Sequence, residues 1–453
     1  MKASEKRCLT RSLSPTVSDI PSESDKMKSE FPQDTLCELA AQYATPLWIY
    51  NADVIRRQID RLAPFDIVRF AQKACSNVNI LSLMREAGVH VDAVSHGEIK
   101  RAQQAGFSAA ATATGAAGIV FTADLFDRDT LDYVVREKIE VNAGSLDMLH
   151  QLGERSPGHR VWLRINPGFG HGHSKKTNTG GENSKHGIWH GQLAQAITLL
   201  ERYRLHLVGF HLHIGSGVDY RHLERVCQAM TDIISSVDHD FEAISAGGGL
   251  SVPYKNGDQD IDVAHYFNLW DQTRRQAEKK LGHSVRLEIE PGRFLVAQSA
   301  VLVAEVRATK QMGDNHFTLV DAGFNDLMRP ALYGSYHHIS VLSANSRARK
   351  TEASRPTVIA GPLCESGDVF TQQQDGTVEM RELPPAHVGD YLVFHDAGAY
   401  GASMSSNYNS RPQAAEYLLD GPASRLIRTR QKITELYQRE CPNLASPTTA
   451  KAI

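Results

Sequence analysis

Lys73 and Cys364 are the two residues of this 453-residue chain whose chemistry is complementary. One is an ε-amine that can hold an aldehyde as a Schiff base; the other is a thiol that can deliver a proton. Between them stand His213 in the run His213-Ile214-Gly215-Ser216, the triplet Gly247-Gly248-Gly249, and Glu290-Pro291-Gly292-Arg293. An aldehyde that also carries a phosphate and an aromatic ring nitrogen would use all of them. Backbone N–H groups at Gly247, Gly248 and Gly249, completed by Ser216 and Gly292, suit the phosphate, and a helix starting behind that loop would add its positive end. His213 suits a ring face and Glu290 a protonated ring nitrogen, which makes the ring an electron sink. The set points to pyridoxal phosphate acting on an amino acid.

Each residue also has an ordinary explanation. A lysine at a rim is commonly a solvated charge, a glycine triplet a tight turn, and a lone glutamate an ion-pair partner, here of Arg286 or Arg293. A cysteine is by default buried and inert, although the polar neighbours of Cys364 suit an exposed loop. Tyr400, in Asp396-Ala397-Gly398-Ala399-Tyr400-Gly401, sits in a turn that structure alone would justify. His211 and His213 share a strand face, but no nearby cysteine or carboxylate completes a metal set; the same holds for His171, His173, His337 and His338. No metal is expected.

Positioning these residues requires strands that end where they begin. Apolar runs at Ile67 to Gln72, Val91 to Ser95, Ile119 to Thr122, Ile139 to Asn142, Arg160 to Asn166, Leu205 to His213, Ala243 to Ala246 and Val285 to Ile289 alternate with helical patterns. Such alternation is the signature of an eight-stranded parallel β/α barrel, whose chemistry gathers at the carboxyl ends of its strands. The barrel is expected over 53–301. Shorter runs such as Phe317 to Val320, Thr357 to Ala360 and Tyr391 to His395 predict a C-terminal all-β domain over 302–440. Residues 31–52 join it through a strand within Tyr43 to Tyr50, and 441–453 form a tail. The first 30 residues hold seven serines and few large apolar side chains, the composition of a disordered tail, with Met27 as an alternative start.

Composition narrows the partners. A formal charge of −3, with 41% hydrophobic and 22% charged residues, gives no basic field for nucleic acid. No apolar run reaches the ~18 residues of a membrane span, and no secretory signal is present. Six cysteines without regular spacing fit a reducing compartment, hence the cytoplasm.

Phe70-Ala71-Gln72-Lys73-Ala74-Cys75-Ser76-Asn77, Glu290-Pro291-Gly292-Arg293, Asn325-Asp326-Leu327-Met328-Arg329-Pro330, Cys364-Glu365-Ser366-Gly367-Asp368 and the Tyr400 turn occur here in an order that resembles the diaminopimelate decarboxylase family. These are pyridoxal-phosphate enzymes with an alanine-racemase-like barrel, and the likeness runs from about Leu36 to Leu436. It implies that Lys73 holds the cofactor, His213 stacks on its ring, Ser216 and Gly247–Gly249 grip its phosphate, Glu290 binds its ring nitrogen, and Tyr400 completes the pocket. By the same resemblance Cys364 reprotonates Cα, while Arg293, Arg329, Tyr333, Glu365 and Tyr400 bind the substrate, Arg293 counting among the cofactor-binding residues as well. Cys364 and Glu365 would reach the other subunit's cofactor, which implies a homodimer. The implied reaction converts meso-2,6-diaminopimelate to L-lysine and CO2, the last step of lysine synthesis. Cys75 departs from the more widespread asparagine. Ornithine- or arginine-type decarboxylases of the same group, racemases and non-enzymatic pyridoxal phosphate-binding barrels are the rivals. Arg329 disfavours the first, Glu290 the second, and the β domain the third.

Overall fold

In a computed structural model, residues 30–112, 114–170, 179–213, 215, 219–344 and 353–441 are described. Both expected tails lie outside this set, apart from Glu30 and Cys441. Eight strands, Ile67–Ala71, His90–Ala93, Ile119–Ala123, Glu140–Ala143, Arg160–Asn166, His206–His211, Ala243–Ser245 and Arg286–Ile289, pair in parallel, each with the next. Glu288 opposite Ile67 joins the last strand to the first and closes the barrel. The eight expected strands are all present, with ends moved by a residue or two.

The helices between them begin at side chains that satisfy free N–H groups of the first turn. Asn77, Ser95, Asp127, Ser145, Asp219 and Asp262 each accept such a bond from Asn79, Glu98, Thr130, Met148, Arg221 and His265 respectively. These caps fix where each loop ends and its helix starts. One expectation fails here. No helix follows the glycine triplet directly: the chain runs irregularly through Leu250–Asp262, and the helix Val263–Leu281 begins only then.

Alternation along each strand sends every second side chain into the barrel. An apolar layer of Val120, Trp162, Val208 and Ala243 packs across the interior. Polar interior residues are tied to one another. Arg69 donates to Glu288 at 2.8 Å and to the Ala117 carbonyl, both side chains being 1% exposed. Arg160 bridges Glu140 and Glu242, and Arg286 reaches Glu242.

The second sheet is woven from both sides of the barrel. Leu47–Asn51 lies antiparallel to Ala300–Met312, Leu47 facing Val303, and parallel to Ala415–Leu419. Strand Ala300–Met312 also pairs with Asn315–Val320 and Tyr391–Phe394. The sheet is mixed, and the segment before the barrel is not wholly β. Gln33–Tyr43 forms a helix whose Leu36, Leu39 and Ala40, at helical spacing, pack on Leu47, Ile49, Val301 and Val393. Only Leu47–Asn51 is left to form the strand.

Removing one member of the dry Arg69–Glu288 pair leaves an unmatched charge, which costs about 3–5 kcal/mol. Glu288→Ala should lower the urea midpoint accordingly, and pairing it with Arg69→Met should recover most of the loss. A single variant as stable as the parent would show that this pair does not secure the barrel.

Candidate active site

A cavity of about 670 Å³ opens at the carboxyl ends of the strands and is lined by Lys73, His213, Gly248, Gly249, Glu290, Gly292, Arg293, Arg329, Tyr333 and Tyr400 together. These residues span more than three hundred positions of sequence, and the barrel brings them to one mouth. Three candidates stand elsewhere. Gly247 supports the cavity without lining it, and Cys364 and Glu365 sit exposed on a β-domain loop. Ser216 lies outside the described residues, as does 171–178 of the loop Gly168–Gly187.

Strand Ile67–Ala71 passes into a tight turn, Gln72–Ala74, that carries Lys73. The Ala74 carbonyl accepts from the Tyr400 backbone N–H at 2.8 Å and from Ser403 Oγ at 3.1 Å. The β domain therefore grips the turn one residue beyond the lysine. Tyr400 makes this bond from a left-handed backbone, φ 57°. For a bulky residue this conformation is strained and must be held by its surroundings.

Glu290 extends the alternation of Glu288 by one step and points into the cavity. Its ordinary explanation fails, because Arg286 pairs with Glu242 and Arg293 donates to Tyr254. Its partners are His211 Nε2 at 2.7 Å and Ser245 Oγ at 3.2 Å. Burial opposes ionisation, but the His211 charge and hydrogen bond outweigh it and hold Glu290 at a pKa of about 2. Its backbone N–H donates to the Gly247 carbonyl. A Cβ on Gly247 would stand 2.2 Å from the Leu212 carbonyl, and one on Gly248 2.5 Å from that of Glu290. Only glycine allows this approach.

His213 Nδ1 accepts the Gly248 N–H at 3.0 Å. Gly248 thus spends its N–H on the imidazole and Gly247 its own on Ser245 Oγ, while Gly249 lines the cavity beside them. Burial, Arg164 and Lys73 push His213 well below its ordinary pKa, so the ring is neutral.

Sequence reasoning missed Asp92, Thr122, Arg164 and Tyr254, all of which line the cavity, and it discounted His211 as a metal ligand without naming Glu290 as its partner. The period of two in His90-Val91-Asp92-Ala93 was the available signal for Asp92. Among the described residues, one Asp92 oxygen is buried with no hydrogen-bond partner.

These features fit pyridoxal phosphate. A carboxylate offers about four acceptor positions, so Glu290 with two partners can still take a ring N–H. A neutral imidazole, a lysine and an unmatched buried oxygen face the same space.

The model for the pyridoxal binding domain of pyridoxal-dependent decarboxylases matches residues 52–297. The chain belongs to that family, and its particular branch follows from its relatives. The diaminopimelate decarboxylase of Escherichia coli K12 is 62% identical over 407 residues, covering 90% of this chain and 96% of that protein. That of Streptomyces coelicolor is 62% identical over 405 residues, covering 89% and 91%. A crystal structure of diaminopimelate decarboxylase, 61% identical, aligns with a TM-score of 0.88 over 91% of this chain and 98% of that one. The branch is that of the diaminopimelate decarboxylases.

Burial, the adjacent Glu290 charge and the opposing pull of Lys73 set Asp92 at about 6, above its ordinary 3.8. A carboxyl raised in the folded state weakens folding as pH rises: the penalty is absent below 3.8 and complete above about 6. In the cofactor-free protein, Asp92→Asn should therefore stabilise the fold near neutral pH, by on the order of 2–3 kcal/mol, and leave it unchanged near about pH 3.5. Equal melting shifts at both pH values would contradict this.

Proposed function

We propose that this chain decarboxylates meso-2,6-diaminopimelate to L-lysine and CO2, with the cavity residues dividing the work. Pyridoxal phosphate, when bound, supplies the electron sink for the pair left at Cα after CO2 departs. Lys73 holds its aldehyde carbon, and Glu290, kept ionised by His211, holds the proton on the ring nitrogen. His213 lies neutral against the ring face, held there by Gly248. Gly249, Gly292 and Ser216 take the phosphate, and Tyr400 closes the pocket.

One observation carries the choice of substrate. Arg293 and Arg329 both face the cavity, Arg329 only 5% exposed, and among the described residues they bond to Tyr254 and His337 rather than to a carboxylate. Withdrawn guanidiniums without carboxylates call for an anionic ligand. A distal carboxylate supplies it, and Arg guanidinium geometry suits bidentate capture. Ornithine and arginine lack this carboxylate, and their distal cation would be repelled. Tyr333 and Glu365 attend the distal ammonium end.

Cys364 provides the proton for Cα. Its loop is exposed and outside the cavity of its own chain, which supports a homodimer in which Cys364 and Glu365 complete the partner's site. The barrel, 53–301, then forms the cofactor domain, and 31–52 with 302–440 the β domain that presents the thiol. Cys37, Cys75, Cys227, Cys364 and Cys441 are free, and no helix among the described residues is long and apolar enough to cross a membrane. Both facts suit a cytoplasmic enzyme.

Assays on meso-diaminopimelate, ornithine, arginine and lysine should give preferred CO2 release from the first; a preference for ornithine would overturn the assignment. Lys73→Ala should lose the visible absorbance of the bound cofactor, while Cys364→Ala keeps the colour and turns over slowly. Mixing the two impaired variants should raise activity to about a quarter of the parental value, because half the dimers are hybrids with one intact site. No recovery in a mixture shown to exchange subunits would exclude shared sites.

A further inference from the structure

Two like-charged guanidiniums poor in water need partners even before substrate arrives, and the partners chosen here are all uncharged. Arg329 donates to His337 Nε2 at 3.0 Å, and His337 Nδ1 lies 2.8 Å from the His395 carbonyl. A carbonyl only accepts and a guanidinium only donates, so the imidazole carries its proton on Nδ1 and presents a bare Nε2. Arg293 donates to the Tyr254 hydroxyl at 2.8 Å. The Tyr254 ring lies under both guanidiniums, 5.7 Å from Arg293 and 4.9 Å from Arg329, and meets His337 edge-on at 5.9 Å. One neutral aromatic pair therefore braces both arginines.

We propose that His337 and Tyr254 are positioning residues that set selectivity for a substrate carboxylate by satisfying Arg329 and Arg293 with neutral acceptors. This deepens the carboxylate reading of the two arginines and rests on it. A carboxylate in place of either acceptor would fix the guanidiniums equally well, but it would also cancel their charge and repel the substrate's own carboxylate. A neutral acceptor holds the geometry and leaves the charge to the ligand. An arginine without an acceptor would lose its aim, since its long side chain has rotamer freedom to spare. His337 stays in the required state: burial and the adjacent Arg329 charge push its pKa well below the ordinary value.

The test compares two probes on the holoenzyme by calorimetry: L-lysine, which carries the carboxylate, and 1,5-diaminopentane, the same diamine without it. Their affinity ratio reports the carboxylate alone. KM and kcat for meso-diaminopimelate are measured alongside. The parent should favour L-lysine. H337E should reduce that preference, and raise KM, about tenfold or more while kcat changes less than about threefold. H337Q, whose amide oxygen can accept, should stay within about threefold of the parent in both. Should H337E not fold, Tyr254→Phe, which keeps the ring and loses the acceptor, should lower the preference several-fold with kcat little changed. Undiminished preference in H337E or in Tyr254→Phe, or equal losses in H337E and H337Q, would overturn the proposal. Arg329→Ala separates the two levels. Loss of preference there but not in H337E would defeat the positioning role only, whereas preference intact in Arg329→Ala would defeat the carboxylate reading as well.

Discussion

Charge buried inside a closed barrel must be matched, and this constraint organises the interior from one end to the other. Alternation along the last strand sends Glu288 and Glu290 inward in succession. Glu288 is met by Arg69 in a fully dry pair, and the surrounding Arg160, Glu140, Glu242 and Arg286 close on one another. One step higher the matching is incomplete. Among the described residues, Glu290 is held by His211 and Ser245, Asp92 keeps an oxygen without a partner, and Arg293 and Arg329 have only neutral acceptors. Charges left without a charged partner at this end of the barrel, where the cavity opens, mark where a ligand can contribute.

A second constraint is that the barrel does not position its own lysine unaided. The Lys73 turn is tied to the β domain at Ala74, through Tyr400 and Ser403. A little further on, Asn77 caps the next helix and donates to Glu416 at 2.7 Å, and Arg428 pairs with the same carboxylate. Those partners stand on strands that pair with Leu47–Asn51 or its neighbour, so the sheet formed by the chain's two ends registers the turn against the cavity. Tyr400 serves both roles, because its backbone holds Ala74 and its ring lies 5.2 Å from the Arg293 guanidinium.

Most of the architecture was legible because it rests on local signals. Apolar runs with helical patterns between them mark all eight barrel strands, and motifs placed at run ends mark the mouth. Pairings across the barrel left no such trace. His211 and Glu290 are 79 residues apart, so nothing local to either residue shows that the histidine holds the glutamate. Arg164 and Tyr254 belong to no motif, and their importance depends on what faces them. The glycine triplet was legible only in part for the same reason: the sequence shows that N–H groups are accessible there, not that His213 accepts the one of Gly248. The helix Gln33–Tyr43 did carry a signal, in the spacing of Leu36, Leu39 and Ala40, which the aromatic residues following it obscured.

The loop that carries Cys364 is built for rigidity rather than for burial. Both carboxylate oxygens of Asp368 are engaged, one by the Phe324 N–H at 2.7 Å and the other by the Leu363 N–H at 2.8 Å. A Cβ on Gly361 would stand 2.3 Å from that second oxygen, so the turn closes only around glycine. The Cys364 N–H itself donates to Asn409 Oδ1, and Asn409 and the adjoining Ser410 hold left-handed conformations, φ 55° and 56°. Fixing an exposed backbone so thoroughly costs conformational entropy that solvation of a thiol does not require. In the proposed dimer the expense has a purpose: a proton donor arriving from another subunit cannot be adjusted by the barrel that receives it. Its position must be set in advance by its own domain.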